Sequence, residues 1–273
     1  MRLLASLRLP EVKDVVELDD PAVTELHRRI IERKPFLRRL YVDSYRELDR
    51  WLPRHRPRRI IELGSGGGFI KQVIPDAVTS DVLDISGIDL RFSALEMPFE
   101  NESVDAFCMI DVLHHIPDVR RFMAEVGRCL RPGGRLVMIE PANTAWGRFV
   151  YQRFHHEPFD PAGTWSLQGN GPLSTANGAI PWIVFVRDRR EFDRAFPNLE
   201  VVHMRPHMPV RYLLSGGLSM RQLVPSFAYT AVKGLEAALQ PLAAFLGMFY
   251  TIVVQRNGEP SSGKPVPARR VSP

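Results

Sequence analysis

The stretch over residues 60–69, IIELGSGGGF, constrains this chain more than any other. An apolar run ends in the acid Glu62 and passes directly into Gly64, Gly66, Gly67 and Gly68. Turn-like residues 53–58 precede it, so the pattern predicts a short strand over 60–63, buried on both faces as in a parallel sheet. Glycines at that density carry a large backbone-entropy cost, tolerated where a chain turns tightly or approaches a ligand closely. A short helix predicted over 69–74, stopped by Pro75, would aim its first amides back at the loop and favour an anionic group there. An α/β fold is expected, binding a ligand with an acidic end at the carboxyl edge of its first strand.

The following segments have the same alternation. Residues 77–80 read as a second strand ending at Asp81, an acid suited to holding both hydroxyls of a ribose, with Asp84 as the second choice. Residues 106–110, AFCMI, form a continuous apolar run of strand length that ends in Asp111, followed by Val112, Leu113, His114 and His115. Pro117 and Asp118 open a helix carrying Val119, Phe122, Met123, Val126 and Leu130 on one face, closed by the turn Arg131-Pro132-Gly133-Gly134. Residues 135–140, RLVMIE, then read as another buried strand.

The spacing from Gly64 through Gly66 to Gly68, with Glu62 two residues earlier, resembles motif I (E/D-x-G-x-G-x-G) of class I S-adenosylmethionine-dependent methyltransferases. A nicotinamide fingerprint, G-x-G-x-x-G, would need its third glycine at Phe69. Residues 87–99 resemble the third-strand region of the same family, with Ser93 and Ala94 where an acid and a small residue are usual. Residues 111–118 resemble its fourth motif, and the helix, P-G-G turn and strand follow in the family's order. The resemblance covers residues 58–141. It implies a Rossmann-like fold with a seven-stranded, mostly parallel sheet between helices, and S-adenosylmethionine as cofactor. Glu62 would orient the cofactor's amino end, and Gly64, Ser65, Gly66 and Gly68 would admit its methionine portion. Asp81 would hold the ribose, Ser93 and Ala94 would border the adenine, and Asp111 would stand nearby. Asp111, His115, His155 and His156 are the candidate general bases, needed if the acceptor is a hydroxyl or a protonated amine.

Outside that region the chain is less regular. Asp20 and Pro21 make an N-cap and first turn, Pro35 separates two amphipathic helices, and residues 1–57 are expected to form an N-terminal helical cap. A methyltransferase domain over 58–256 would carry inserts at about 142–186 and 211–248. The first insert holds Trp146, Tyr151, Phe154, Phe159 and Trp165, too aromatic for a disordered loop, and is expected to cap the acceptor. His155, His156, Glu157 and Asp160 lie together, but consecutive histidines do not easily face one ion, so no metal is expected there. The second insert is apolar and helical. Residues 191–196, 199–203 and 250–255 read as a helix and two closing strands, and 257–273 as a disordered tail.

Composition narrows the function classes. The apolar content of 45% and charged content of 25% suit a soluble globular chain, and two cysteines offer no disulfide framework. The net charge of +5 is read as a solvated basic face, since no aromatic-and-basic nucleic-acid motif accompanies it. Arg8 interrupts the N-terminal apolar run, so no signal peptide is expected. Lys233, Glu236, Gln240 and Pro241 break the most apolar later region, so no spanning helix is expected either. The expectation is a cytoplasmic enzyme, with room for peripheral membrane contact, acting on a small-molecule or lipid-linked acceptor and not on nucleic acid. The alternative is a non-catalytic cofactor-binding scaffold in a biosynthetic complex or at a membrane surface.

Overall fold

The computed structural model describes residues 7–13, 19–155, 157–169 and 171–258. Strands β1 (Ile60–Glu62), β2 (Ala77–Asp81), β3 (Leu90–Arg91), β4 (Val104–Ile110), β5 (Leu130–Pro141), β6 (Leu199–His207) and β7 (Phe249–Arg256) form one sheet. Its order is β3-β2-β1-β4-β5-β7-β6. The pairs β2–β3, β1–β2, β1–β4 and β4–β5 are parallel, whereas β7 runs antiparallel to both β5 and β6. This is the expected seven-stranded, mostly parallel Rossmann-like sheet. The apolar runs at β1 and β4 are central strands covered on both faces, which is why they lack alternation.

Helices α1 (Pro21–Arg33) and α2 (Pro35–Trp51) precede the sheet. Asp20 caps α1 by accepting the Ala22 amide at 2.8 Å. Phe36, Leu40, Tyr45 and Leu48 of α2 join the main core. Helix α3 (Val119–Cys129) is capped by Asp118 and buries Val119, Phe122, Met123 and Val126, as its spacing predicted, whereas Leu130 and the turn expected over 131–134 belong to β5, which pairs with β4 from Leu130 on.

Three further expectations change. The helix expected over 69–74 is a single 3-10 turn, Ile70–Gln72. The Gly68 amide donates to the Ser65 carbonyl at 2.8 Å and the Phe69 amide to the Tyr45 hydroxyl at 3.2 Å, so protein atoms take amides that a longer helix would present to a ligand. The long connection after β5 contains a helix, α4 (Ala145–Phe154), capped by the Thr144 hydroxyl. Gly147 and five large aromatic or β-branched residues disguised it in the sequence, and the cap and packing override that poor propensity. Strand β6 continues to His207 because it pairs with β7 along its whole length.

Downstream, α5 (Arg189–Ala195) returns to β6, and α6 (Arg211–Ser215) and α7 (Tyr229–Ala238) lie between β6 and β7. Buried Arg211 ties these together, reaching Asp43 of α2 at 2.9 Å, the Tyr229 hydroxyl at 2.9 Å, and Glu236. Among the described residues no helix is long and apolar enough to cross a membrane. Of the tail expected over 257–273, residues 259–273 lie outside the described residues, as do residues 1–6 of the N-terminal run.

Candidate active site

The glycine loop is built by its neighbours as much as by its own sequence. Gly64 and Gly66 have φ of +62° and +50°, a region that disfavours side chains. The Ser65 amide donates to the Ser80 carbonyl at 2.9 Å, and its hydroxyl accepts the Ser80 amide at 3.1 Å, which fastens the loop to β2. A Cβ on Gly66 would meet nothing nearer than 3.9 Å. At Gly68 it would lie 2.3 Å from the Tyr45 hydroxyl, and at Gly67 2.6 Å from the Arg28 backbone nitrogen. A Cβ on Gly66 would make only ordinary contact with the Gly64 carbonyl and Thr24, whereas Gly67 and Gly68 are small so that α1 and α2 can press onto the loop.

Glu62 ends β1 only 3% exposed. Burial pushes its carboxyl up to about 8; the Ser65 hydroxyl opposes that shift and Asp81 adds to it. Its Oε2 is buried with no hydrogen-bond partner among the described residues. Asp81, at the end of β2, accepts the amides of Gly66 and Leu83, each at 3.0 Å. Asp84 points outward, 81% exposed and 3.4 Å from Arg91, so of the two acids Asp81 borders the cavity. Ser93 and Ala94 also border it, the Ser93 hydroxyl accepting the Leu95 amide at 3.2 Å.

Beyond β4 the chain turns sharply through Asp111, whose φ of +56° is unusual for a non-glycine residue. Burial pushes the Asp111 carboxyl up to about 7; His114 opposes this, while Glu140 and Glu157 reinforce it. The 3-10 turn Leu113–His115 carries both histidines. Glu140, at the end of β5, accepts the amides of Val112 and Leu113 at 2.8 and 2.7 Å, and its other oxygen lies 2.8 Å from His114 Nδ1. Glu157 stands on the opposite side, its carboxylate 3.3 Å from His114 Nε2 and 3.7 Å from His115 Nε2. Burial opposes protonation of His114, but its two glutamate partners hold its pKa well above the ordinary value. Burial lowers His115 to about 4, and its Nδ1 meets the Thr175 carbonyl at 3.1 Å. His155 Nδ1 is 3.7 Å from Glu157. His156 lies outside the described residues.

One cavity of about 580 Å³ joins these groups, within the usual range of about 300–1,000 Å³ for small-molecule sites. Glu62, Gly66, Asp81 and Ser93 line it, with Tyr41 beside the loop, its ring 6.3 Å from that of Phe69; Asp111, His115 and His155 line it too, with an aromatic group of Tyr151, Phe159, Tyr212 and Phe249. Helix α1 closes over it with Val23, Thr24 and Ile31. Sequence reasoning missed Glu140 and placed Glu157 only in a run where no metal is expected. Glu140 was findable as an acid at the carboxyl end of a buried strand, where ligands gather in α/β sheets.

Residues 61–138 match a family model described as a methyltransferase domain. The chain is 36% identical over 106 residues to a phthiotriol/phenolphthiotriol dimycocerosates methyltransferase of Mycobacterium leprae (strain TN), covering 32% of this chain and 39% of that protein. It is 30% identical over 125 residues to a demethylmenaquinone methyltransferase of Deinococcus radiodurans, covering 37% and 52%. The match thus spans about two fifths to half the length of these relatives. Among solved structures, a SAM-dependent methyltransferase from Archaeoglobus fulgidus superposes with a TM-score of 0.49 at 12% identity, covering 80% of this chain and 94% of that one.

Proposed function

We propose that the chain, whose residues 61–138 match a methyltransferase domain, is a class I S-adenosylmethionine-dependent methyltransferase that transfers a methyl group from that cofactor to a largely apolar, small or lipid-linked acceptor. The observation that carries the reading is the buried Oε2 of Glu62, without a hydrogen-bond partner among the described residues, in one cavity with Gly66 and the carboxylate of Asp81. A ligand with an ammonium at one end and a ribose further along answers all three features. When bound, the cofactor supplies an electrophilic methyl on a sulfonium. The chain's own work is to bind, align and exclude water.

Glu62 receives the amino end, Gly64, Ser65 and Gly66 pass the methionine portion, and Asp81 holds the ribose, with Ser93 and Ala94 along the adenine. Gly68 contributes by letting Tyr45 brace the loop. Asp111 is the preferred proton acceptor, because burial brings its pKa to about 7, where a base is most effective near neutral pH. His115 and His155 border the acceptor's path. The aromatic group lining the cavity supports an acceptor with a hydrophobic body, in line with the names of the mycobacterial and menaquinone relatives.

Calorimetric titration with S-adenosylmethionine, its demethylated product and NADH tests this. Micromolar binding of the first two and none of NADH is expected, with Gly66→Leu losing binding while keeping the folded circular-dichroism spectrum. Binding of NADH alone, or unchanged cofactor binding in Gly66→Leu, would overturn it.

A further inference from the structure

We propose that His114, His115 and Glu157 form a binding site for a first-row divalent cation in the same cavity. One nitrogen of each ring and one Glu157 oxygen lie within 4.8 Å of one another. Each Nε2 is 3.3 or 3.7 Å from the Glu157 carboxylate. Donors about 2.0–2.1 Å from a tetrahedral ion stand about 3.4 Å apart, so small side-chain rotations bring these three atoms onto one ion.

The outer contacts orient both rings for this. His115 Nδ1 faces the Thr175 carbonyl, which only accepts, so Nδ1 carries the proton and Nε2 turns a lone pair toward Glu157. An ion would take the place of the proton that His114 Nε2 shares with Glu157 and would also meet the lone pair of His115. His114 Nδ1 faces Glu140, itself held by the Val112 and Leu113 amides. A carboxylate or carbonyl on the far nitrogen is the usual support of a metal-ligating histidine. Consecutive histidines face one point here because the 3-10 turn sets their rings 4.3 Å apart at a tilt of 40°.

Two imidazoles and one carboxylate suit zinc, iron(II), cobalt(II) or manganese(II) better than magnesium or calcium, which prefer oxygen. Three protein donors leave coordination open toward the cavity, where an ion would hold and polarise an oxygen of the acceptor. This takes His115 out of the set of proton acceptors and leaves Asp111. The inference stands on the geometry of the cluster, independently of methyl transfer, and its test reads metal alone.

The untagged chain is stripped with a chelator, dialysed, and titrated with cobalt(II), followed by visible absorption, and with zinc(II) by calorimetry. One ion per chain with micromolar or tighter affinity is expected. His115→Ala and Glu157→Gln should each weaken binding at least about tenfold with folded circular-dichroism spectra, and Glu140→Gln about 10–100-fold. If His115→Ala fails to fold, His115→Gln replaces it. Absence of binding by the wild-type chain, or equal binding in both ligand variants, overturns the site.

Discussion

The proposed seat of the cofactor's amino end on the buried Glu62 carboxyl would make binding a proton-linked event. With its pKa pushed up to about 8, the group is about 97% protonated at pH 6.5. A bound ammonium beside Oε2 favours the charged form and should return the carboxyl to or below its ordinary range. The cofactor's own α-amino group, with a pKa of about 7.7–8.0, is already about 95% protonated at pH 6.5. Binding should therefore release about 0.9 proton from this pair. At pH 9 the carboxyl is about 90% ionised beforehand and the amine must gain its proton, so the sign reverses to an uptake of about 0.8. Affinity should rise about tenfold per pH unit up to roughly pH 8 and fall beyond it. Calorimetry in buffers of differing ionisation enthalpy reads the proton count directly. Asp111, pushed up to about 7, also titrates in this cavity, so the decisive quantity is the wild-type count minus that of Glu62→Gln. A difference near zero at pH 6.5, with both proteins binding, would refute the pairing of Glu62 with the amino end.

Other consequences are separable. Gly68→Ala should cost about 1–3 kcal/mol in urea unfolding, because its Cβ would meet the Tyr45 hydroxyl and the Ser65 carbonyl; pairing it with Tyr45→Phe should recover part of the loss. Glu236→Ala frees the Val210 and Arg211 amides and leaves Arg211 paired with Asp43 alone, so a loss of about 1–3 kcal/mol is expected in the same assay. Burial lowers His207 to about 4, below its unfolded value of 6.5, so the unfolded chain binds the proton first on acidification. Its contribution is full above about pH 6.5 and is lost toward pH 4, by up to about 3 kcal/mol, and His207→Gln should flatten melting temperature against pH over that window.

The sheet and its first loop were legible because their signals are local. Runs such as AFCMI and RLVMIE and the spacing of Gly64 and Gly66 act within a few residues, and hydrophobic patterning reports them directly. Asp81 and Asp84 are three residues apart and equivalent to such reasoning; what separates them is the end of β2 beside Ser65, a matter of register between strands. The helix expected after the loop failed for a related reason, since its amides were claimed by Ser65 and by Tyr45, from a helix whose contact with the loop no local pattern records. The histidine cluster lay furthest beyond reach. His114, Glu140, Glu157 and Thr175 come from four separate segments, and only closure of the sheet and folding of α4 and the chain after it across its edge bring them within a few ångströms. The sequence determined the sheet and the glycine loop at the end of its first strand. Tertiary packing decided which acids face the cavity, and how their protons are held, because burial and charge proximity are properties of the assembled fold.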